Sequence, residues 1–546
     1  MGPNKRSIQK NNSKKVKKVV KGVEKTQTRR NKKLMGKRKA PEKRLVVAER
    51  ERKVLKVAES KKIWETLRLR KLDPKEREKQ IEKVLDIWKG NLKKACLRPD
   101  TCRVIQSVIK YGSEKQKLNL VRSLIKDVVE LSKDRYGHFI LLKLFRYCTK
   151  EQIEEIMNSF RGQLVSLLKN RYSSDVVDFF FQAVASAQQK KILLQELYCG
   201  NERQILASLG DSMKNVSSLK SFLVNIGSEF RETILSSIVR LLDSFSSNAR
   251  LMRSALVHRL AKECFEELDE NLRKILAASL ISHGSVMLHT REGSQVVIEC
   301  IKLAKATEKK QLAKSLKSDI VKVIMDESGH KVLLSLIHFT DDTIMLENVI
   351  FREIIRNAKN LITNKYGRLP ILHLLCPFSR RYFHPSAYSF LSDDVNVTKV
   401  KKDFETRRQE LLNLIQHSLE DILEKNLQYF VCNNFAYVVV LEFILYIFRK
   451  GVDISNWLEA IEDIYCLQLE NKLQVCGSTL KGDSGADFST IETRFPARIL
   501  RILCKTVNTS QVYRHILDRI GKYKDMVQDV EERRLASTVE SFNELS

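Results

Sequence analysis

In RYGHFILLKLF, residues 135–145, Gly137 is one of a series of anchors that recur about every 36 residues. Thr101 in PDTCRVIQ (99–106) stands 36 residues before it, and Ser173 in RYSSDVVDFF (171–180) 36 residues after it. The spacing returns farther along. Val257 in LVHRLAKEC, Gly293 in REGSQVVIEC and Gly329 in ESGHKVLLSL are again 36 apart, and Gly367 in KYGRLPILHLL follows after 38. A fixed period of this size marks a repeat architecture. Each unit is a small helical group that cannot bury its apolar face alone, so neighbours stack into a solenoid. A solenoid offers a long surface and rarely an enclosed pocket, so binding is the leading expectation.

The chain has 546 residues, 43% of them hydrophobic, with only 8 prolines and 19 glycines. With apolar residues recurring at three and four, this predicts an all-α protein, a right-handed helical-repeat solenoid. The net charge of +32 points to a polyanionic partner. The 11 cysteines include no C-x-x-C pair; Cys102, Cys148, Cys264, Cys300 and Cys376 sit among apolar helical residues and read as reduced core thiols of an intracellular protein. The N-terminus is charged throughout and has no secretory h-region. FAYVVVLEFILYIF (435–448) has 14 residues and contains Glu442, too short and polar for a membrane span, so it reads as a buried helix and no membrane is expected.

Residues 1–44 carry 18 Lys or Arg against Glu24 and Glu42, net +16, and are expected to be a disordered basic tail. Two clusters stand out there: Lys14, Lys15, Lys17 and Lys18, then Arg29, Arg30, Lys32, Lys33, Lys37, Arg38 and Lys39. Such clusters act as nuclear import signals and as nucleic-acid arms. A basic helical lead-in (45–90) follows, then N-terminal repeats (91–200). The 84 residues between Ser173 and Val257 exceed two periods, and LYCGNERQILASLGDSMKN (197–215) reads as an irregular joint. Further repeats fill 201–524, with degenerate units at NNFAYVVVLEFI (433–444) and RFPARILRIL (494–503). Ser379–Lys402 and Cys476–Ser489 read as loops, and 525–546 as a charged tail or incomplete repeat.

The most specific local signal is the first anchor. Cys102, Arg103 and Gln106 lie at i, i+1 and i+4 of one helix. A small side chain and an amide can address a base edge, and a guanidinium plane can stack between bases. This trio on a 36-residue helical period resembles Pumilio-homology (Puf) repeats, which read single-stranded RNA one base per repeat. RPDTCRVIQSVIKYGSEKQ (98–116), ELSKDRYGHFILLKLF (130–145), LLQELYCGNE (193–202), NKYGRLPILHLLCP (364–377) and KKDFETRRQELL (401–412) resemble the divergent Puf-A (penguin-like) subfamily, in the same order, over roughly 90–515. The resemblance implies an L-shaped array of two repeat subdomains, residence in the nucleolus, a part in large-subunit pre-rRNA maturation beside pre-ribosomal proteins, and nucleic-acid binding with little sequence preference.

Later repeats depart from a base-reading trio. The equivalent positions hold His138, Phe139 and Leu142; Ser174, Asp175 and Asp178; His258, Arg259 and Lys262; Ser294, Gln295 and Ile298; His330, Lys331 and Leu334; Arg368, Leu369 and Leu372. Leucine and isoleucine cannot hydrogen-bond a base, so no eight-base code is supported. What remains is cationic: Arg103, Arg135, His138, Lys143, Arg171, His258, Arg259, Lys262, Lys331, Lys365 and Arg368 can follow a phosphate backbone. Phe139 can stack a base. Tyr136, Tyr172 and Tyr366 read more simply as packing between repeats, and Asp175 and Asp178 would repel phosphate.

Catalytic signals are absent. GSTLKGD (477–483) lacks the Lys and hydroxyl of a phosphate loop, and His283 and His289, six apart, are not a helical metal pair. No enzyme, metal or cofactor is expected. The leading expectation is a monomeric RNA-binding scaffold, largely sequence-independent, that also suits DNA. The rivals are a sequence-specific repressor of messenger RNA and a helical protein–protein adaptor, but Trp64, Trp88 and Trp457 form no peptide-binding ladder.

Overall fold

The computed structural model describes residues 40–69, 72–198, 217–226, 228–383, 388–391, 400–479 and 494–507. Among them there are helices and no strands, so the fold is an all-α helical repeat. The chain divides into two compact units, residues 1–160 and 161–546, a division earlier than the boundary read at 200/201. The basic clusters from Lys14 to Lys39, most of the joint read at 197–215, and the end after residue 507 lie outside the described residues.

The 36-residue anchor has a single physical cause. In each repeat a short helix turns into an inner helix, and at the turn the chain passes close to the carbonyl six residues earlier. At Thr101 and Ser173 the side-chain hydroxyl donates to that carbonyl, Ala95 O at 2.6 Å and Leu167 O at 2.5 Å. At four other anchors the residue is glycine. A Cβ at Gly137 would lie 2.6 Å from Leu131 O, and one at Gly329 2.5 Å from Val323 O, with Gly293 and Gly367 alike. At these anchors the position takes either a group that bonds the carbonyl or no side chain at all; Val257 and Ala436 stand outside this rule.

Three residues before the anchor, a second device recurs. The carboxylate or amide oxygen of Asp134 accepts the N–H groups of Tyr136 and Gly137. Asn170, Asp326, Asn364 and Asn433 repeat this at Ser173, Gly329, Gly367 and Ala436. These oxygens satisfy amides that the start of a helix leaves unpaired. NNFA at 433–436 thus shares this cap with the earlier repeats. A capping box opens three successive outer helices. Gln116, Gln152 and Gln189 accept from the backbone N–H of Ser113, Thr149 and Ser186, at 3.1, 2.9 and 2.8 Å.

Inner helices pack side by side in a row. In the first unit, Ala40–Leu67 lies against Pro99–Tyr111, which lies against Gly137–Leu144. The lead-in helix thus takes the place of a preceding inner helix. Its Ile63 and Leu67 are buried, and Trp64 donates to Ser107 Oγ at 3.0 Å. In the second unit the row runs through Ala255–Glu267, Arg291–Leu303, Gly329–His338, Leu369–Leu375, Tyr437–Arg449 and Arg494–Val507. Every residue from Tyr437 to Ile447 is buried. This is a helix enclosed by neighbours on all sides, and no helix of the described residues is long and apolar enough to cross a membrane. Its Glu442 accepts from Tyr382 Oη at 2.7 Å.

The long gap before Val257 does not interrupt the second unit. Asp178, from the inner helix Ser173–Phe179, accepts from Ala255 N at 2.7 Å and Ser254 Oγ at 3.0 Å, capping the next inner helix across 77 residues. Its carboxylate is spent on structure. The buried cysteines are equally structural: burial raises the thiol of Cys264 to about 12 and that of half-buried Cys148 to about 11, which keeps both as unreactive thiols.

Two predictions follow from these contacts. Ser173→Ala removes a buried hydrogen bond and should cost about 1–2 kcal/mol. Gly329→Val places a Cβ 2.5 Å from Val323 O and should cost at least about 2 kcal/mol. A Gly329→Val chain with an unshifted unfolding midpoint would show that the close approach does not fix this position. The second concerns acid. His373 is fully buried, its ring nitrogens have no hydrogen-bond partner among the described residues, and burial lowers its imidazole from 6.5 to about 3. The unfolded chain therefore takes up this proton near pH 6.5 and the folded chain only near pH 3. The stability tied to His373 is intact above pH 6.5 and is lost as pH falls toward 3, by up to about 1.4 kcal/mol per pH unit. His373→Phe should flatten the stability–pH slope between pH 6 and 4; an unaltered slope removes His373 as its source.

Candidate nucleic-acid interface

The residue after each anchor was expected to face a base. In most repeats it is sealed into the joint with the next repeat instead. Cys102 is 2% exposed, and its thiol donates to Tyr136 O at 3.3 Å. His258 is fully buried between Thr290 Oγ1 at 2.6 Å and Met252 O at 2.7 Å, and burial lowers its pKa to about 4, so it is a neutral structural group. His330 stacks on Tyr366 of the next repeat, centroids 4.8 Å apart and planes 15° from parallel. Arg368 donates to Phe435 O at 2.9 Å with its guanidinium over the Phe435 ring. His138 is buried, with Nδ1 3.0 Å from Asp134 O. Cys102, His258 and Arg368 are therefore corrected from ligand-facing groups to groups that join repeats, and His138 to a buried group bonded within its own repeat. The reason is geometric: the start of an inner helix lies where the next repeat docks.

In the first unit the remaining chosen residues come together. Lys143 Nζ donates to Gln106 Oε1 at 2.9 Å, and Gln106 Nε2 lies 3.2 Å from Cys102 Sγ, which in turn donates to Tyr136 O. This chain of bonds ties two inner helices and occupies the amide that was read as a base reader. Around it Arg103, Arg135 and Lys143 are exposed, with no carboxylate within ion-pair distance among the described residues. Phe139 stands among them, 49% exposed. An exposed aromatic ring amid unpaired cations can stack a base while the cations meet phosphate.

In the second unit the chosen cations differ in standing. Arg259 is held by buried Glu263 at 2.7 Å and approached by Glu292 at 3.7 Å. Glu263 also accepts from Tyr198 Oη at 2.5 Å and Leu219 N at 3.1 Å, so Arg259 balances a buried carboxylate. Lys262 faces Glu266 at 3.7 Å. Lys262, Gln295 and Ile298 line a cavity of about 390 Å³ whose wall includes Ser389 and Phe390 of the same chain. Arg171 and Lys365 are exposed two residues before their anchors, over the rings of Tyr172 at 5.8 Å and Tyr366 at 5.0 Å. Arg135 repeats the arrangement over Tyr136 at 5.6 Å in the first unit. Lys331 is half-buried and has no carboxylate partner among the described residues.

Sequence reasoning missed Arg250 and Arg253. Both are exposed and, with Asp175 and Ser174, line a cleft of about 170 Å³. Arg250 Nη1 donates to Arg171 O at 3.0 Å. Their only signal was two arginines in SNARLMRSA ahead of Val257. Asp175 is exposed, as a phosphate-repelling group would be, whereas Asp178 is a helix cap. No group of His, Cys, Asp and Glu that could hold a metal occurs among the described residues.

Comparison with known proteins places these features in a family. Residues 102–125 and 127–159 match the Pumilio-family RNA binding repeat, and residues 363–508 match the CPL (NUC119) domain. The chain is similar to human Pumilio homolog 3, 29% identical over 384 residues, which are 70% of this chain and 58% of that protein. The match thus spans less than two thirds of that relative's length. Among solved structures, human Puf-A superposes with a TM-score of 0.74 at 23% identity, covering 89% of this chain and 96% of that one. Human Puf-A in complex with DNA gives a TM-score of 0.68 at 24% identity, with coverage of 89% and 96%. The two structures share this fold. The chain thus carries Pumilio-family repeats in its first unit and a CPL domain toward its end, and its fold is that of human Puf-A.

Proposed function

We propose that this protein is a non-catalytic scaffold for nucleic acid that holds phosphate rather than reading bases. One observation carries this. The positions that would read bases are consumed by joints between repeats, while cations two residues before and after the anchors, Arg135, Arg171, Lys365 and Arg103, stay exposed. Exposed cations beside repeat anchors in each unit can meet the phosphates of a nucleic-acid backbone, and every neutralised phosphate releases counterions. The solved human Puf-A bound to DNA supports a partner of this class. RNA is the proposed partner, with DNA accepted through the same phosphate contacts.

The finer setting is also proposed: pre-rRNA of the large subunit, in the nucleolus, beside pre-ribosomal proteins. Its support is the resemblance to the penguin-like subfamily and the basic clusters of residues 14–39. A repressor that selects particular messenger RNAs is less well supported, because such selection needs the buried first positions.

Arg259 is unsuited to a charge-reversal test, since it balances buried Glu263. Arg103→Glu, Arg135→Glu and Lys143→Glu together should weaken binding to unrelated RNA sequences about equally, by at least about tenfold, and make the log K–log salt slope shallower by about 2. Unchanged affinity in the folded variant rules this face out as the site. Phe139→Ala should weaken single-stranded RNA by about tenfold and leave duplex RNA nearly untouched. Deleting residues 1–39 should lower affinity further and reduce nuclear accumulation; normal accumulation rejects the import reading.

A further inference from the structure

A second basic surface in the first unit lies outside the row of anchors. The lead-in helix Ala40–Leu67 and the turn from Leu92–Cys96 into Pro99–Tyr111 enclose a pocket of about 460 Å³. Arg52, Lys53, Lys56, Lys94 and Arg98 line it, over Trp88 and Leu97, and no acidic residue is among its lining. Nearby cations are neutralised: Lys61 pairs with Asp100 and Lys93 with Asp127, each at 2.9 Å. Arg52, Lys56, Lys94 and Arg98 have no such partner among the described residues. Like charges gathered around one hole repel each other, and a folded chain holds them there at a cost in stability. An anionic occupant removes that cost.

The walls decide what kind of anion. Trp88 is 4% exposed and its Nε1 donates to Ser60 Oγ at 2.9 Å, so its ring has no face free to stack a base. The floor is apolar, and the lysine and arginine stems extend it. A volume in the range of ordinary ligand pockets is far larger than one phosphate needs, and a phosphate backbone has no apolar group to fill it. Leu55, 65% exposed on the same helix, adds apolar surface at the flank. We propose that this pocket docks an acidic peptide segment of a partner protein, one large apolar side chain entering over Leu97 and the lysine and arginine stems while flanking carboxylates meet Arg52, Lys56, Lys94 and Arg98. This site is additional to the nucleic-acid surface and gives the scaffold a protein contact of its own.

The test is fluorescence anisotropy with the full chain and a labelled nine-residue peptide of aspartate and glutamate around one central leucine. A matched peptide with serine at the centre and a labelled oligouridylate of equal charge are the other two probes. The leucine peptide should bind at least about fivefold tighter than the serine peptide, and Arg52→Glu with Lys56→Glu should weaken it at least about tenfold. Leu97→Arg is the discriminating variant, checked for fold by circular dichroism. It adds a positive charge but blocks the hole, so a docked side chain predicts weaker peptide binding and a purely ionic surface predicts stronger. Equal binding of the serine and leucine peptides, or tighter binding to Leu97→Arg, overturns the proposal. So does an oligouridylate that weakens in both variants while the leucine peptide does not, which assigns the pocket to nucleic acid.

Discussion

The contact between each anchor residue and the carbonyl six positions earlier governs this molecule. It lets a short helix fold sharply back into an inner helix with almost no intervening loop. At the glycine anchors a side chain would push the two helices apart. Two chemistries meet the constraint, a bonded hydroxyl at Thr101 and Ser173 or bare backbone at Gly137 and Gly329. Where it holds, the same bend recurs, and the inner helices line up in rows.

The bend also settles which residues stay available to a partner. It brings the residue after the anchor against the residue before the next anchor, as His330 meets Tyr366 and Cys102 meets the Tyr136 carbonyl. Side chains with hydrogen-bonding capacity are drawn into these joints, where bonds to backbone groups offset the loss of water. The exposed remainder is cationic at several anchors. A surface that lacks base readers but keeps charge at intervals is suited to shape and phosphate more than to sequence.

Much of the fold was legible because it rests on a period, and a period needs no knowledge of distant contacts. The anchors, the all-helical class and the buried character of 435–448 could all be read from spacing and composition. Less was legible of the caps. The Asp or Asn three residues before Gly137, Gly329, Gly367 and Ala436 is as periodic as the anchors, yet its role appears only when its oxygen is seen accepting two amides. That signal would have marked the start of a capped helix at 433–436. At the candidate site the exposed cations were legible as charges. The burial of Cys102 was read from its apolar neighbours, but that of His138 and His258 was not, since inner and outer faces of a helix that is packed on several sides carry no simple alternation. Arg259 and Glu263 stand four apart on one helix, a pairing the spacing allows, but the burial of Glu263 could not be foreseen, because Tyr198 and Leu219, which bind it, come from elsewhere in the chain.

The lead-in helix closes one end of a row. By lying on Pro99–Tyr111 it covers a flank that in the interior of the array is covered by another repeat. A chain begun at the first repeat would lose Ile63, Leu67 and the Trp64–Ser107 bond, and would present that flank to other copies of itself. Colloidal behaviour and basic character are thus joined in one helix: the segment that keeps the stack from growing end to end is also the one that carries the chain's charge up to the edge of its folded body.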